Sequence, residues 1–598
     1  MDNIKNLKKK GEIMKILFKK RLFLLPASVI LLFIVLAVTI KKNDINQSQE
    51  NSLIITPPKN IIYMISDGMG YSAMLATDYY QKGSTNLQQY QSFPVKYAMS
   101  HYPVQTGGYP GALQWNTGYN PRAMWQNFNY ALNDFTESAA AATAMATGFK
   151  TYNNSIGKDI NFQNLVNLTQ IAKGMNKSAG VISSVEWTHA TPAGFVAHNV
   201  TRNNYNQLAY EMLLGTRLDV IMGCGNPDYN NSGALGHNTY KYIGDSLVWL
   251  GLQAGNSIFY PGGGPPDTVE DCNGDGIRDP WTLIQDRSQF QSLITGSTPL
   301  RVLGTAKVFE TLQQARAGDA YANPFVVPLT TTVPTLVEMT KGALNVLDNN
   351  PNGFFLMIEG GAIDWAGHAN QKGRLIEEQI DFNNSVNAVI QWVNTNSNWN
   401  ETMVIVTADH ETGYLWGPGS GAPKTFNPII NNGQNNLPGM SFYSIEHTNS
   451  LVPFFAKGGG SNIFTIFADE IDSIRSKFIQ NSEIAQGIKL LWDANLVITS
   501  TQFEGVILPV DYTLDQNYPN PFNPTTTISF NLKKKANVTI NIFDVTGRLV
   551  KTLINNEKIN SGVKSIIFNA AEFSSGVYFY TLDVDNNRID TKKMVFVK

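Results

Sequence analysis

Seven histidines are spread through 598 residues, and three of them stand beside or near carboxylates. Asp364 and His368 are spaced i, i+4, which puts both on one face of a helical turn. Asp409 and His410 are adjacent and end an apolar run that begins at Thr402. His447 follows Glu446. Mixed Asp/His sets of this kind suit zinc. Two more carboxylates end apolar runs, Asp67 in Ser66-Asp67-Gly68-Met69-Gly70 and Glu359 in Ile358-Glu359-Gly360-Gly361. A single serine, Ser138, heads the small-residue run 139–146, which ends at Gly148. Helix N-termini present free N–H groups and suit anions such as phosphate. The plainer reading of that run is an Ala-rich packing helix with Ser138 as its N-cap. Arg202 has the side chain best shaped to hold two phosphate oxygens.

These residues need a scaffold that delivers carboxylates at strand ends. Residues 60–66, 353–359 and 402–408 are apolar β-formers of the kind buried on both faces of a parallel sheet. Open α/β sheets place their sites at the carboxyl ends of such strands. Residues 179–184 read as another strand, followed by His189-Ala190-Thr191-Pro192, where Thr191 caps a helix that Pro192 begins. The hydrophobic share is 43% and the charged share 15%, which marks a globular chain. A net charge of −2 implies no basic surface, so nucleic acid is not an expected partner. The two cysteines, Cys224 and Cys272, make no disulfide framework, and whether they pair stays open.

The flanks differ in texture. Lys8-Lys9-Lys10 and Lys19-Lys20-Arg21 precede an apolar run over 22–40, the pattern of an export signal or an uncleaved anchor. Residues 46–58 are polar, end in two prolines and read as a linker. In the region 206–331, Asp271-Cys272-Asn273-Gly274-Asp275-Gly276-Ile277-Arg278-Asp279 has calcium-loop spacing, with Asp271, Asn273, Asp275 and Asp279 offering oxygens; Thr282 stands where a twelfth-position Glu is expected. Beyond residue 512, short alternating strands at 528–532, 538–543, 563–568, 577–582 and 593–597 predict a small β-sandwich.

Taken in chain order, these motifs resemble the alkaline phosphatase family. The resemblance rests on Ser-Asp67-Gly-Met-Gly, Thr-Glu-Ser138-Ala-Ala-Ala-Ala-Thr-Ala, Lys150-Thr-Tyr-Asn, His-Ala-Thr191-Pro-Ala, Arg202, Glu359-Gly-Gly-Ala-Ile-Asp-Trp-Ala-Gly-His368, Thr-Ala-Asp409-His and Glu-His447-Thr. It spans about residues 59–485. It implies an α/β fold with a large, mostly parallel central sheet flanked by helices, and a phosphomonoester hydrolase acting through a phosphoserine at Ser138. Asp364, His368 and His447 are then the ligands of one zinc. Asp67, Asp409 and His410 hold a second, and Thr191 and Glu359 complete a magnesium site that Asp67 bridges. Arg202 is the phosphate clamp. Glu137 stands where Asp is common. His189 and Trp365 occupy third-site positions often held by other residues, which leaves that metal's identity open. Rival readings are a phosphodiesterase or sulfatase of the same superfamily, or a metal-bound surface protein without turnover. The family also admits a homodimer.

Asn517-Tyr-Pro-Asn-Pro-Phe-Asn-Pro524, Asp544-Val-Thr-Gly-Arg548 and Ser575-Gly-Val-Tyr578 resemble the C-terminal sorting domain used in type IX secretion. That resemblance implies a secretion machinery as partner and delivery to the periplasm, cell surface or medium. The expected layout is a signal or anchor over 1–45, a linker over 46–58, a catalytic domain over 59–497, a linker over 498–515 and an all-β sandwich over 516–598.

Overall fold

A computed structural model of the chain describes residues 57–492, apart from 87, 107–113, 117, 256–270 and 276–278, and most of 512–597. The predicted signal or anchor, the first linker up to residue 56 and most of the second linker lie outside the described residues. Among those described, no helix is long and apolar enough to cross a membrane. The chain divides into two compact units, residues 54–497 and a unit containing 498–598.

The larger unit is built on an eleven-stranded sheet. In chain order its strands are β1 (Asn60–Ser66), β2 (Val95–Ser100), β3 (Ser178–Glu186), β4 (Val220–Cys224), β5 (Thr282–Ile284), β6 (Val302–Thr305), β7 (Phe354–Gly360), β8 (Thr402–Thr407), β9 (Val452–Gly458), β10 (Glu470–Asp472) and β11 (Ser476–Gln480). Their order across the sheet is β10-β11-β2-β9-β8-β1-β7-β3-β4-β6-β5. From β8 to β5 every neighbouring pair is parallel, whereas β9 runs antiparallel to both β8 and β2. The sheet is therefore mixed, with a parallel block that runs from β8 to the edge at β5. Every residue of β1, β3, β7 and β8 is buried, which is why these strands are apolar on both faces.

Register brings the chemistry together. Ile65 of β1 pairs with Thr407 of β8 on one side and Glu359 of β7 on the other. Glu359 in turn faces Ser183 of β3. Four adjacent parallel strands thus end at one level, and Asp67, Asp409, Glu359 and the turn after β3 converge there.

Helices cover the sheet: α1 (Tyr71–Lys82), α2 (Ser138–Thr147), α3 (Ala190–Gly194), α4 (Leu336–Leu347), α5 (Ala362–His368), α6 (Lys372–Asn396) and α7 (Asn481–Trp492). All ten residues of α2 are buried. Alanine suits this position twice, as the best helix former and as a side chain small enough for close approach. A Cβ placed on Gly194 of α3 would lie 2.7 Å from the Cβ of Ala142 in α2. The tightness of that crossing is what the small residues permit.

The smaller unit has a three-stranded sheet, formed by Tyr512–Leu514, Thr525–Leu532 and Gly562–Asn569, and a four-stranded sheet, formed by Ala536–Asp544, Leu549–Ile559, Gly576–Val584 and Asn587–Phe596. All neighbours are antiparallel. Phe530, Ile540, Phe568, Tyr580 and Met594 share one buried core. The strands at Tyr512–Leu514 and Leu549–Ile559 were not expected from the sequence. The second alternates poorly because its residues are mostly exposed.

Candidate active site

Ser138 is the first residue of α2, and Glu137 is its N-cap. The expected Ser N-cap is thus corrected by one residue. The Glu137 carboxylate accepts from Ala139 N (2.9 Å) and Ala140 N (2.8 Å), so the free N–H groups expected to meet phosphate are already engaged. Glu137 also accepts from Asn154 N (2.7 Å) and from Arg202 Nη1 (2.6 Å). Burial alone would raise its pKa, but Arg202 and the three backbone donors outweigh that and hold it below the usual glutamate range. Arg202 donates through Nη2 to His189 Nε2 at 2.9 Å.

The serine has no histidine near it in sequence, yet the fold supplies one. His410 Nε2 lies 3.2 Å from Ser138 Oγ, 3.1 Å from Asp409 Oδ2 and 3.5 Å from Asp67 Oδ1. A second group forms on the other side. His368 Nε2 and His447 Nε2 are 2.9 Å apart, and they stand 3.4 and 3.3 Å from Asp364 Oδ1.

The hydrogen-bond partners fix which nitrogen of each ring carries the proton. His447 Nδ1 faces the Thr136 carbonyl at 2.9 Å, and His368 Nδ1 faces the Ile445 carbonyl. Carbonyls only accept, so both Nδ1 atoms must donate. Thr412 donates its hydroxyl to Asp364 Oδ1 and therefore accepts from His410 Nδ1 at 3.2 Å. In its neutral form each ring turns an Nε2 lone pair towards carboxylates, and the Ser138 hydroxyl can donate to that of His410. Thr412, Thr136 and Ile445 were not read from the sequence as site residues. The placement of Thr412 two residues past His410 was the available signal.

Carboxylate oxygens are left over as well. Neither oxygen of Asp67, nor Glu359 Oε1, nor Asp409 Oδ2 receives a hydrogen bond, and all are buried. Burial first, then the neighbouring Asp409, Asp364 and Glu359, push the Asp67 carboxyl well above its usual range. Burial likewise pushes Glu359 up to about 7. Burial acts upward on Asp364 too, but His368 and His447 outweigh it and hold its pKa down. Ligand atoms of Asp364, His410 and His447, of Asp67, Asp409 and His410, and of Asp67, His189 and Glu359 each lie within 4.8 Å of one another. Buried, donorless carboxylates facing bare imidazole nitrogens are a donor set that fits cations.

The remaining expectations fare differently. His189, not Thr191, is the N-cap of α3, so that helix starts two residues earlier than expected because Pro192 tolerates any first-turn position. Thr191 lies fully buried beside Glu359. Cys224 and Cys272 are separate, buried free thiols. In the loop with calcium spacing, Asp271 Oδ1 accepts from Gly274 N and Asp275 N, and Asp279 Oδ2 from Cys272 N (2.9 Å). Among the described residues, this loop contributes none of the three convergent groups. Ser138, Arg202, His189, Trp365, His368 and His447 line one open cleft of about 550 Å³.

The alkaline phosphatase family model matches residues 58–450, and the secretion-system C-terminal sorting domain model matches 516–598. Alkaline phosphatase H of Pseudomonas aeruginosa is 29% identical over 464 residues, which cover 72% of this chain and 87% of that one. The Escherichia coli alkaline phosphatase is 28% identical over 440 residues, covering 69% and 84%. Among solved structures, a cold-active alkaline phosphatase from Shewanella sp. aligns at a TM-score of 0.49 and 24% identity, over 72% of this chain and 99% of that one. With the family model covering the parallel strands and every residue of the cleft named above, the chain belongs to the alkaline phosphatase family and carries a C-terminal secretion sorting domain.

Proposed function

We propose that this exported enzyme hydrolyses a broad range of phosphate monoesters through a phosphoserine at Ser138, with two zinc ions and one magnesium ion as cofactors. The observation that carries the reading is the position of Ser138 Oγ, 3.2 Å from Nε2 of His410 and in the same cleft as Arg202.

Asp364, His368 and His447 would hold one zinc, and Asp67, Asp409 and His410 the other, since zinc favours mixed nitrogen and carboxylate sets. For the third site, Arg202 already occupies Nε2 of His189. Arginine only donates, so His189 Nε2 accepts and the neutral ring carries its proton on Nδ1. That leaves Asp67, Thr191 and Glu359, an all-oxygen set that suits magnesium. Bound cations supply the charge that lowers the pKa of the serine hydroxyl and of water and that neutralises the departing alkoxide.

The chain's own groups do the rest. Arg202 orients two phosphoryl oxygens, and Glu137 fixes the guanidinium from behind. Ser138 Oγ forms a bond to phosphorus while the bond to the ester oxygen breaks, and the alcohol departs with a proton. Water then attacks the phosphoserine, the Oγ–phosphorus bond breaks, and inorganic phosphate leaves.

Phosphate release from p-nitrophenyl phosphate and from its bis-ester, each with Ser138→Ala as control, tests the assignment. The monoester is expected to be the better substrate, and Ser138→Ala is expected to lose at least about a thousandfold in rate, as when a nucleophile is removed from its ensemble. A preference for the diester, or full activity in Ser138→Ala, would sink it.

A further inference from the structure

A phosphoryl group does not fill a cleft of about 550 Å³, which is the size of sites that enclose drug-sized ligands. Ser138, Arg202 and the carboxylate–imidazole groups claim the phosphoryl end. The rest of the lining is Trp365, Gln314 and Ala369. The leaving group must therefore meet these three.

Trp365 sits on α5 between Asp364 and His368, so the helix that carries two candidate ligands also aims the indole beside them. The ring is only partly buried. Among the described residues its one aromatic neighbour is His189, at 5.8 Å between centroids and tilted by 59°. A tilted partner at that distance touches an edge and does not cover a face. Ala369 is too small to crowd the indole. Gln314 is anchored through Nε2 to Gln371 Oε1 at 2.9 Å. The result is a flat apolar face, held by a rigid helix, next to the position of bond breaking.

We propose that Trp365 is the leaving-group platform of this enzyme, and that it favours monoesters whose alcohol carries a flat aromatic ring over those of small aliphatic alcohols. The inference rests on the hydrolase reading above. Aryl and nucleoside monophosphates share the required chemistry. They differ in how far the ring stands from phosphorus, because a nucleoside interposes its sugar.

The test measures kcat/KM for phenyl phosphate, adenosine 5′-monophosphate and glycerol 1-phosphate in the cation-loaded wild type, Trp365→Leu and Trp365→Phe. Comparing ratios between variants cancels the intrinsic reactivity of each leaving group. Loss of a stacking face is expected to lower a flat-ring-to-glycerol ratio about tenfold in Trp365→Leu, and Trp365→Phe is expected to restore most of it. A fall confined to phenyl phosphate places the platform against the ester oxygen, and a fall confined to the nucleotide places it one sugar further out. Unchanged ratios in Trp365→Leu would overturn the proposal. So would equal losses on all three esters, which would assign Trp365 to the phosphoryl end through His189. If the wild type releases phosphate from none of the three, the hydrolase reading itself has failed, a result distinct from either.

Discussion

Replacing Glu137 by glutamine isolates what holds the phosphate clamp. Four donors converge on its two oxygens. Oε1 takes Ala140 N and Asn154 N, and Oε2 takes Ala139 N and Arg202 Nη1. An amide has one oxygen, so Glu137→Gln can satisfy one pair only, and its NH2 must face the other. Asn154 is part of the same clamp, because its carbonyl accepts from Arg202 N at 2.8 Å. Either orientation therefore loosens Arg202, from its guanidinium or from its backbone. Each buried donor left without an acceptor costs about 1–3 kcal/mol, and the side chains of Arg202 and Glu137 are 15% and 14% exposed, which favours the lower half of that range. The expected loss for two donors is about 2–4 kcal/mol. With an unfolding entropy of about 2.1 cal/mol/K per residue over the roughly 440 residues of this unit, that loss lowers the thermal midpoint by about 2–4 °C. The inhibition constant of inorganic phosphate should rise about tenfold, equivalent to ~1.4 kcal/mol. Glu137→Asp keeps the charge and a good cap but retracts the carboxylate by one methylene, so the midpoint should move less while phosphate still binds weakly. The sign with pH follows from the depressed glutamate pKa. Its contribution is present above the ordinary glutamate range and is lost as pH falls through the folded value, so wild type and Glu137→Gln should converge in acid. A Glu137→Gln protein with an unchanged midpoint and unchanged phosphate inhibition would refute the reasoning.

Cation removal should give the stripped protein a pH dependence that the loaded protein lacks. Burial raises the carboxyls of Asp67 and Glu359, the latter to about 7, so above pH ~4.5 these two groups hold more protons in the stripped folded state than in the unfolded chain, and their contribution sets the sign tested here. Its stability should then fall as pH rises from about 5 to 7, and midpoints measured with and without EDTA at both pH values check this; parallel slopes would count against it. Gly194→Ala should destabilise the larger unit by about 1–3 kcal/mol and slow turnover, because the new methyl would stand 2.7 Å from Ala142 Cβ on the nucleophile's helix. A variant as stable and active as wild type would show that α2 and α3 can separate without cost.

Much of this architecture can be read from residue order, and the exceptions share a cause. Apolar runs ending in Asp67, Glu359 and Asp409 announce parallel strands, since only strands covered on both faces are apolar throughout. The C-terminal strands announce themselves by alternation. Ser138 as a cap was misread because capping preferences weigh Ser above Glu, and no local rule foresees that Arg202, 65 residues beyond Glu137, would draw that residue into the cap position. The histidine beside the nucleophile comes from 272 residues away. The ring tautomers depend on carbonyls at Thr136 and Ile445, and backbone carbonyls carry no sequence signal. The loop at Asp271 has the right oxygens for calcium, but Asx turns need the same residues, and here they cap backbone N–H groups. Spacing alone does not separate the two uses.

Charge counting explains why the site would need a third cation and not only two. Asp67, Asp364, Asp409 and Glu359 contribute four carboxylates, and His368, His410 and His447 would each be neutral when holding a cation through Nε2. Arg202 adds no net charge, because Glu137 is its partner at 2.6 Å. With two divalent cations the floor is neutral, and a phosphate monoester dianion would gain little from entering it. A third cation leaves a net charge of +2, equal and opposite to the dianion. Asp67 belongs both to the group with Asp409 and His410 and to the group with Glu359, so a cation held there by Glu359 would act on Ser138 through a common carboxylate. On this argument the third cation governs substrate affinity as much as metal-site stability, and loss of Glu359 should weaken phosphate binding even though that side chain lies fully buried at the end of β7.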